Sequence, residues 1–252
     1  MEEKPVTSYS EESKIIKFKA KTGEVFEIEV IENPKMRLRD IKDKVINDIK
    51  DLTKEAWGDP RDLAEKWVYL SDILTVARKE EKIRGYATGR YIKEDVFLLS
   101  VTIVASKDRN KGLATFMNYA ILRTAWKNRI KKARWRIWIW FQPFYIVFRT
   151  HNPILYEAIS RKINVVPSLK GRQPSPREIK IATEVAHMLS PGHKFDPKTF
   201  VIEDAASSYP ELIYKVDQIP WSSDKKVNEF CERHLKLTER KGNTFVVVGK
   251  VE

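Results

Sequence analysis

The 252-residue sequence predicts an α+β fold, a mixed and mainly antiparallel central sheet flanked by helices, with a C-terminal extension. Three observations carry that expectation. Hydrophobic periods of two and of 3.6 residues alternate along the chain without strict βα repetition. Three β-rich runs follow one another between about 70 and 105, joined by links short enough for antiparallel hairpins. A third signal is WRIWIWFQPFYIVFR at 135–149, aromatic and β-branched, which reads as a buried strand. With 42% hydrophobic and 11% aromatic residues the chain can bury a sizeable core, which excludes wholesale disorder.

In chain order, residues 15–30 read as a hairpin: Ile16, Phe18 and Ala20 alternate with lysines, Lys21–Glu24 turns, and Phe26, Ile28 and Val30 alternate with acids. Leu38, Ile41, Val45, Ile49, Leu52 and Ala56 share one face, so 36–56 is an amphipathic helix. Asp59-Pro60 opens a short helix near 60–67. Strands at about 70–78, 83–92 and 95–105 precede a helix over about 112–131, with Leu113, Phe116, Ala120 and Ala125 inward and a cationic face outward. Pro143 within the run 135–149 demands an edge, a bulge or a break in pairing. Asn152-Pro153 starts a helix to about 162, and Ser175-Pro176-Arg177-Glu178 combines N-cap, proline and capping-box glutamate for a helix to about Leu189. A strand at 199–203, a helix near 224–236 and a last strand, TFVVVGKV, complete the chain. The organisation expected is a core over 1–166, with 167–252 as an extension packed on it.

The formal charge is +12, and the thirty residues Lys107–Arg136 hold ten basic side chains against Asp108 alone. Nine of the twelve net charges therefore sit in one stretch, enough to attract an anion. Cys231 is the lone cysteine, which excludes an internal disulfide and a thiolate zinc site. No HExxH spacing joins the four histidines, so no metal is expected. The start of the chain is polar and acidic, unlike a secretory signal. The longest near-apolar stretch, Ile137–Phe148, is well short of the ~20 residues of a membrane helix. A cytoplasmic protein without a membrane partner is expected; the oligomeric state is not readable.

The segment that carries chemistry is LLSVTIVASKDRNKGLATFMN at 98–118, where a buried strand stops, a polar turn with one glycine follows, and a helix starts at once. Such a turn converges backbone N–H groups and a helix dipole on one space, and a pyrophosphate is a common occupant. Gly112 lets phosphate approach the backbone, and Ala114 keeps the first helical turn small. Neither GxxxxGK[ST] nor GxGxxG is present. The ordinary reading of the same residues is a plain strand-to-helix turn.

Arg109-x-x-Gly112-x-Ala114, with Val104 five residues earlier, resembles the acyl-CoA motif [QR]-x-x-G-x-[GA] of the GNAT acetyltransferase superfamily. The surrounding order of elements over roughly 24–166 resembles that family too. The family's second motif, an Asn with a Tyr some seven residues on, is matched by Asn152 and Tyr156, here only four apart. Lys162-Ile163-Asn164 stands where the family has Gly-Phe. The resemblance implies acetyl-CoA as acyl donor, without a metal, and direct attack by an amine in a ternary complex. Arg109, Asn110, Lys111, Gly112, Leu113, Ala114, Thr115 and Asn152 would hold the coenzyme. The strands about 95–105 and 136–149 would splay, so that backbone groups of Val101, Thr102, Ile103 and Val104 take the pantetheine. Tyr156 would protonate the departing thiolate, with Glu94 or Asp95 as candidate bases. Each has a plainer reading: Tyr156 as a core tyrosine with its hydroxyl satisfied, and Glu94 and Asp95 as solvated turn acids. His151 reads equally as a base or a turn residue, and Trp138 and Trp140 as core residues rather than base-stacking ones.

The acceptor expected is an amine on a small molecule or protein. The rival reading is a nucleic-acid-binding protein, resting on RTAWKNRIKKARWR at 123–136, with seven basic residues and two tryptophans. Nucleic acid through Arg123–Arg136 is not the favoured partner, because no helix-turn-helix, zinc-finger, RRM or KH signature accompanies it. A transferase acting with RNA or a ribosomal partner, and an acyl-CoA binder without turnover, stay open.

Overall fold

In the computed structural model the described residues are 14–37, 43–58, 63–133, 136, 142–207 and 213–251. Strands β1 (Lys14–Lys19) and β2 (Val25–Glu32) form the expected hairpin, closed by Gly23 at φ 87° and by Thr22 Oγ1 donating to Glu24 at 3.0 Å. Helices α1 (Pro34–Arg37), α2 (Asp43–Trp57) and α3 (Leu63–Tyr69) follow, with Val45, Ile49 and Leu52 buried as the helical period requires. Leu38, Ile41 and the Asp59-Pro60 cap lie outside the described residues. Strands β3 (Ile73–Lys79), β4 (Lys82–Lys93) and β5 (Val96–Val104) make two hairpins, and α4 (Leu113–Ala133) leaves the end of β5. Then come β6 (Phe144–Thr150), α5 (Pro153–Ser160), β7 (Asn164–Val166), α6 (Pro176–Leu189), β8 (Phe195–Asp196), β9 (Val201–Ile202), α7 (Lys225–Leu235) and β10 (Thr244–Val251).

The fold is α+β. All ten strands join one sheet in the order β1-β2-β3-β4-β5-β6-β10-β9-β8, with β7 also on β10. Every pairing is antiparallel except β5 with β6, which is parallel. Apolar side chains from β2 through β10 pack on one face against α4, α5 and α7. The opposite face carries two separate clusters, one under α2 and α3 and one under α6. The last strand thus lies inside the sheet, between β6 and β9, with Val246, Val247 and Val248 at 0% exposure.

One expectation is met in part and one changes. Of the strand expected over 135–149, residues 135 and 137–141 lie outside the described residues, and the described strand β6 begins at Phe144, directly after Pro143. The proline has no N–H to offer a neighbour, and the strand begins where donors resume. Trp135, Trp138 and Trp140 lie outside the described residues. Arg129, counted within a cationic outer face, is instead 6% exposed. Its guanidinium donates to the carbonyl of Gln142 and, at 3.5 Å, to that of Pro143, and lies over Phe144.

Candidate functional site

The parallel pairing of β5 with β6 runs from Val96↔Tyr145 to Leu99↔Phe148 and stops there, although β5 continues to Val104 and β6 to Thr150. The two strands therefore part at their C-terminal ends. Along Val101–Val104, β5 is paired on its β4 side only. An unpaired strand edge presents alternating N–H and C=O groups ready for an extended ligand.

Ser100 marks the parting. The β4–β5 register jumps there, from Thr88↔Val101 to Gly89↔Leu99, leaving Ser100 as the extra residue of a bulge. The side chains record the same jump. Phe97 and Leu99 pack on the α4 face, yet Val101 and Ile103 pack under α2 and α3, while Val104 returns to the α4 face. Strict alternation would have placed Val101 with Leu99. The two clusters of the opposite face also separate at Ser100, with Val96 and Leu98 in one and Val101 and Ile103 in the other.

The predicted phosphate turn closes the open end. Asp108 is 1% exposed and held by Arg84 at 2.7 Å and Lys111 at 2.9 Å. Lys111 is also held by Glu24 at 2.6 Å, and the hydrogen bonds from Lys111 and then Lys79 bring the Glu24 carboxyl down to about 2. Asn110 and Gly112 both adopt positive φ, 62° and 82°. A Cβ on Gly112 would meet only Phe18 at 3.7 Å, so the space over the turn is open, while the backbone there disfavours any side chain. Among the described residues, the N–H groups of Asn110–Thr115 have no acceptor, and they stand at the start of the 21-residue helix α4. Arg109 is exposed, its Nε donating to the Val104 carbonyl at 3.4 Å. Thr102 reaches back into α4, donating to Asn118 at 2.9 Å.

On the β6 side of the gap, Asn152 caps α5, accepting from the Leu155 N–H at 3.1 Å. Beside it lies Tyr214, whose ring is 4.7 Å from that of His151. Burial pushes the Tyr214 phenol up to about 12, against the smaller opposing effects of Asn152 and the nearby Arg109 cation. Tyr214 thus links the β6 side of the open end to the β5 side. It comes from the extension, where sequence reasoning had no motif to place it.

The remaining expected residues lie elsewhere. Tyr156 is 1% exposed; its hydroxyl donates to the Pro167 carbonyl at 2.9 Å and accepts from the Leu169 N–H at 3.1 Å. Its ring stacks on Phe230 and tilts against Phe245, so it is the satisfied core tyrosine rather than a group facing β5. Burial drives its phenol well above the ordinary tyrosine value. Glu94 and Asp95 stand in the β4–β5 turn, at the end where β5 and β6 remain paired. There Glu94 pairs with Arg136, Asp95 with Arg177 at 2.6 Å, and the Asp95 carbonyl accepts from Tyr145 N–H at 2.8 Å. From Asp95 to Val101 the strand covers roughly 20 Å. Among the described residues no group of three or more His, Cys, Asp or Glu could hold a metal ion, and no helix is long and apolar enough to cross a membrane.

No protein-family model and no curated protein matches this sequence. Solved structures do. An acetyltransferase assigned to the GNAT family from Desulfovibrio desulfuricans aligns at 11% identity and TM-score 0.40 over 55% of this chain and 85% of its own. Tetrahymena GCN5 aligns at 13% and 0.39 over 54% and 77%, and aminoglycoside 6'-acetyltransferase type Ii at 18% and 0.39 over 56% and 88%. These are similarities of shape. At such identities and scores they assign neither activity nor residues.

Proposed function

We propose that the chain is an acyl-CoA-dependent N-acyltransferase, most simply one that moves an acetyl group from acetyl-CoA to an amine in a ternary complex. The observation that supports it most is the parting of β5 from β6 at Ser100, beside a turn whose backbone donors have no acceptor among the described residues. The N–H groups of Asn110–Thr115, the α4 dipole and the exposed Arg109 would hold the pyrophosphate. The open edge at Val101–Val104 would take the amide-bearing arm in the manner of an added strand. Lys111 is committed to Glu24 and Asp108 and contributes its backbone only.

Bound acetyl-CoA supplies the thioester carbon that the amine attacks and the thiolate that leaves. Backbone N–H groups on the open edge of β5 polarise the carbonyl. Tyr214, a phenol protonated at neutral pH, takes the proton-donating role that the family pattern assigns to Tyr156: its proton goes to the departing thiolate, and the proton that the attacking nitrogen loses restores the phenol through solvent. Glu94 and Asp95, at the closed end, are not assigned a catalytic role. The acceptor enters from the face where the α2/α3 and α6 clusters separate at Ser100.

The test is thiol release from acetyl-CoA with a panel of amines. Tyr214→Phe should lower kcat by about 10²-fold with little change in KM for acetyl-CoA. Tyr156→Phe should lower Tm while keeping kcat within a few-fold, because it leaves the Leu169 N–H and Pro167 carbonyl unpaired. Full turnover by Tyr214→Phe would contradict the assignment. Binding without transfer to any amine would point to an acyl-CoA binder lacking turnover.

A further inference from the structure

The ten cations of Lys107–Arg136 do not form one patch. Lys111 is taken by Glu24 and Asp108, Arg129 is buried, and Arg136 meets Glu94. What α4 leaves exposed is narrow: from its first turn to its last, Thr115, Tyr119, Arg123, Lys127 and Lys131 are exposed at every fourth position, joined by Lys132 at the end. Residues four apart are neighbours about 6 Å from each other, and each step turns by about 40°, so the row winds slowly round the exposed side of α4. Lys14, exposed on the edge strand β1, adds a fourth cation beside Lys127. Lys14, Arg123 and Lys131 together depress the Lys127 ammonium. A nearby carboxylate, Glu32, accepts instead from Asn128 Nδ2 at 2.6 Å. Ahead of this row stands Tyr119, 53% exposed.

We infer that Tyr119, Arg123, Lys127, Lys131 and Lys14 form a track for a single-stranded nucleic acid, distinct from the acyl-CoA cleft. The cations, evenly spaced and without acidic partners among the described residues, fit a chain of phosphates, whose charges recur at regular intervals. The exposed ring at the start of the row supplies a face on which a base stacks. An acidic protein surface is the competing occupant, and what favours nucleic acid is the even spacing of the cations along the row.

The test is fluorescence anisotropy with labelled 20-mers of oligo(dT) and oligo(U) at several salt concentrations, with poly-glutamate as the competing anion. The track predicts saturable binding at about 100 mM salt, with log Kd rising against log salt at a slope of roughly 2–3 for three or four phosphate contacts. The triple variant Arg123→Glu, Lys127→Glu, Lys131→Glu should lose binding at least tenfold. Tyr119→Ala should weaken it about five- to tenfold and leave the salt slope unchanged. Lys127→Gln, a single exposed change that keeps the fold, should reduce the slope by about 0.7. The inference is overturned if no oligonucleotide binds at that salt. It is equally overturned if poly-glutamate competes as well as nucleic acid while Tyr119→Ala binds like the wild type, which would mark a generic anion surface.

Discussion

Lys111 and Arg129 show how far a residue's type can mislead about its task. Both sit in a basic segment that reads as anion-seeking, and both are spent on the protein itself. Lys111 ties the β1–β2 turn, through Glu24, to the buried Asp108. Lys111→Gln should therefore lower Tm while leaving the Kd for acetyl-CoA within about twofold, which a thermal shift and a titration separate. Glu178 gives the pH dependence at this scale. Burial raises its carboxyl, but Arg172 at 2.8 Å and the Ser175 hydrogen bonds outweigh that, so its folded pKa lies below the ordinary value. A depressed carboxylate contributes stability that is present above its unfolded pKa of about 4.3 and is lost as pH falls through the folded value. Glu178→Gln should thus cost about 1–2 kcal/mol at pH 7 in urea melts, and that difference should shrink below about pH 4.

At the scale of elements, local chemistry was readable and long-range pairing was not. The capping box Ser175/Glu178, the Asn152 and Asp224 caps and the hairpin at Gly23 stand where their residue types demand. The two-residue strand β8 and three-residue β7 are too short to show a period of two. The bulge at Ser100 was equally hidden, because every neighbour in LLSVTIVA is apolar or small and no alternation breaks on the page. Deleting Ser100 would join Leu99 directly to Val101, in regular register with Gly89 and Thr88, and would keep Val101 and Ile103 on the α2/α3 face. We expect that deletion to keep the fold and to weaken acetyl-CoA binding at least tenfold, because it removes the bulge at which β5 leaves β6; a variant that binds like the wild type would remove the bulge from the site. Of the predicted site, the Arg109–Ala114 turn and the splay were legible. Tyr214 was not, since its position depends on how the extension folds back against β6.

For the whole molecule, the placement of β10 decides what depends on what. It pairs with β6 along Phe245–Val251 and buries its valines on both faces. A chain ending at Val166 would expose the β6 edge and strip Phe245 and Val247 from the main core, so it should be insoluble or molten by circular dichroism. The +12 charge also resolves at this scale. Internal ion pairs cancel within that sum, so exposed cations without a partner acid carry it. Arg109 at the Gly112 turn and the exposed stripe of α4 with Lys14 hold part of it facing solvent.

The central claim is that the open end of β5 and the turn at Gly112 together hold acyl-CoA. Calorimetric titration of the full chain with acetyl-CoA tests it most directly, with Gly112→Glu as the paired variant. The account predicts one-to-one binding by the wild type. It also predicts a loss of more than about tenfold, or about 1.4 kcal/mol, in the variant, whose side chain adds strain at φ 82° and a negative charge where phosphate should sit. No heat of binding from the wild type at millimolar acetyl-CoA, or equal affinity in a folded Gly112→Glu, would contradict it.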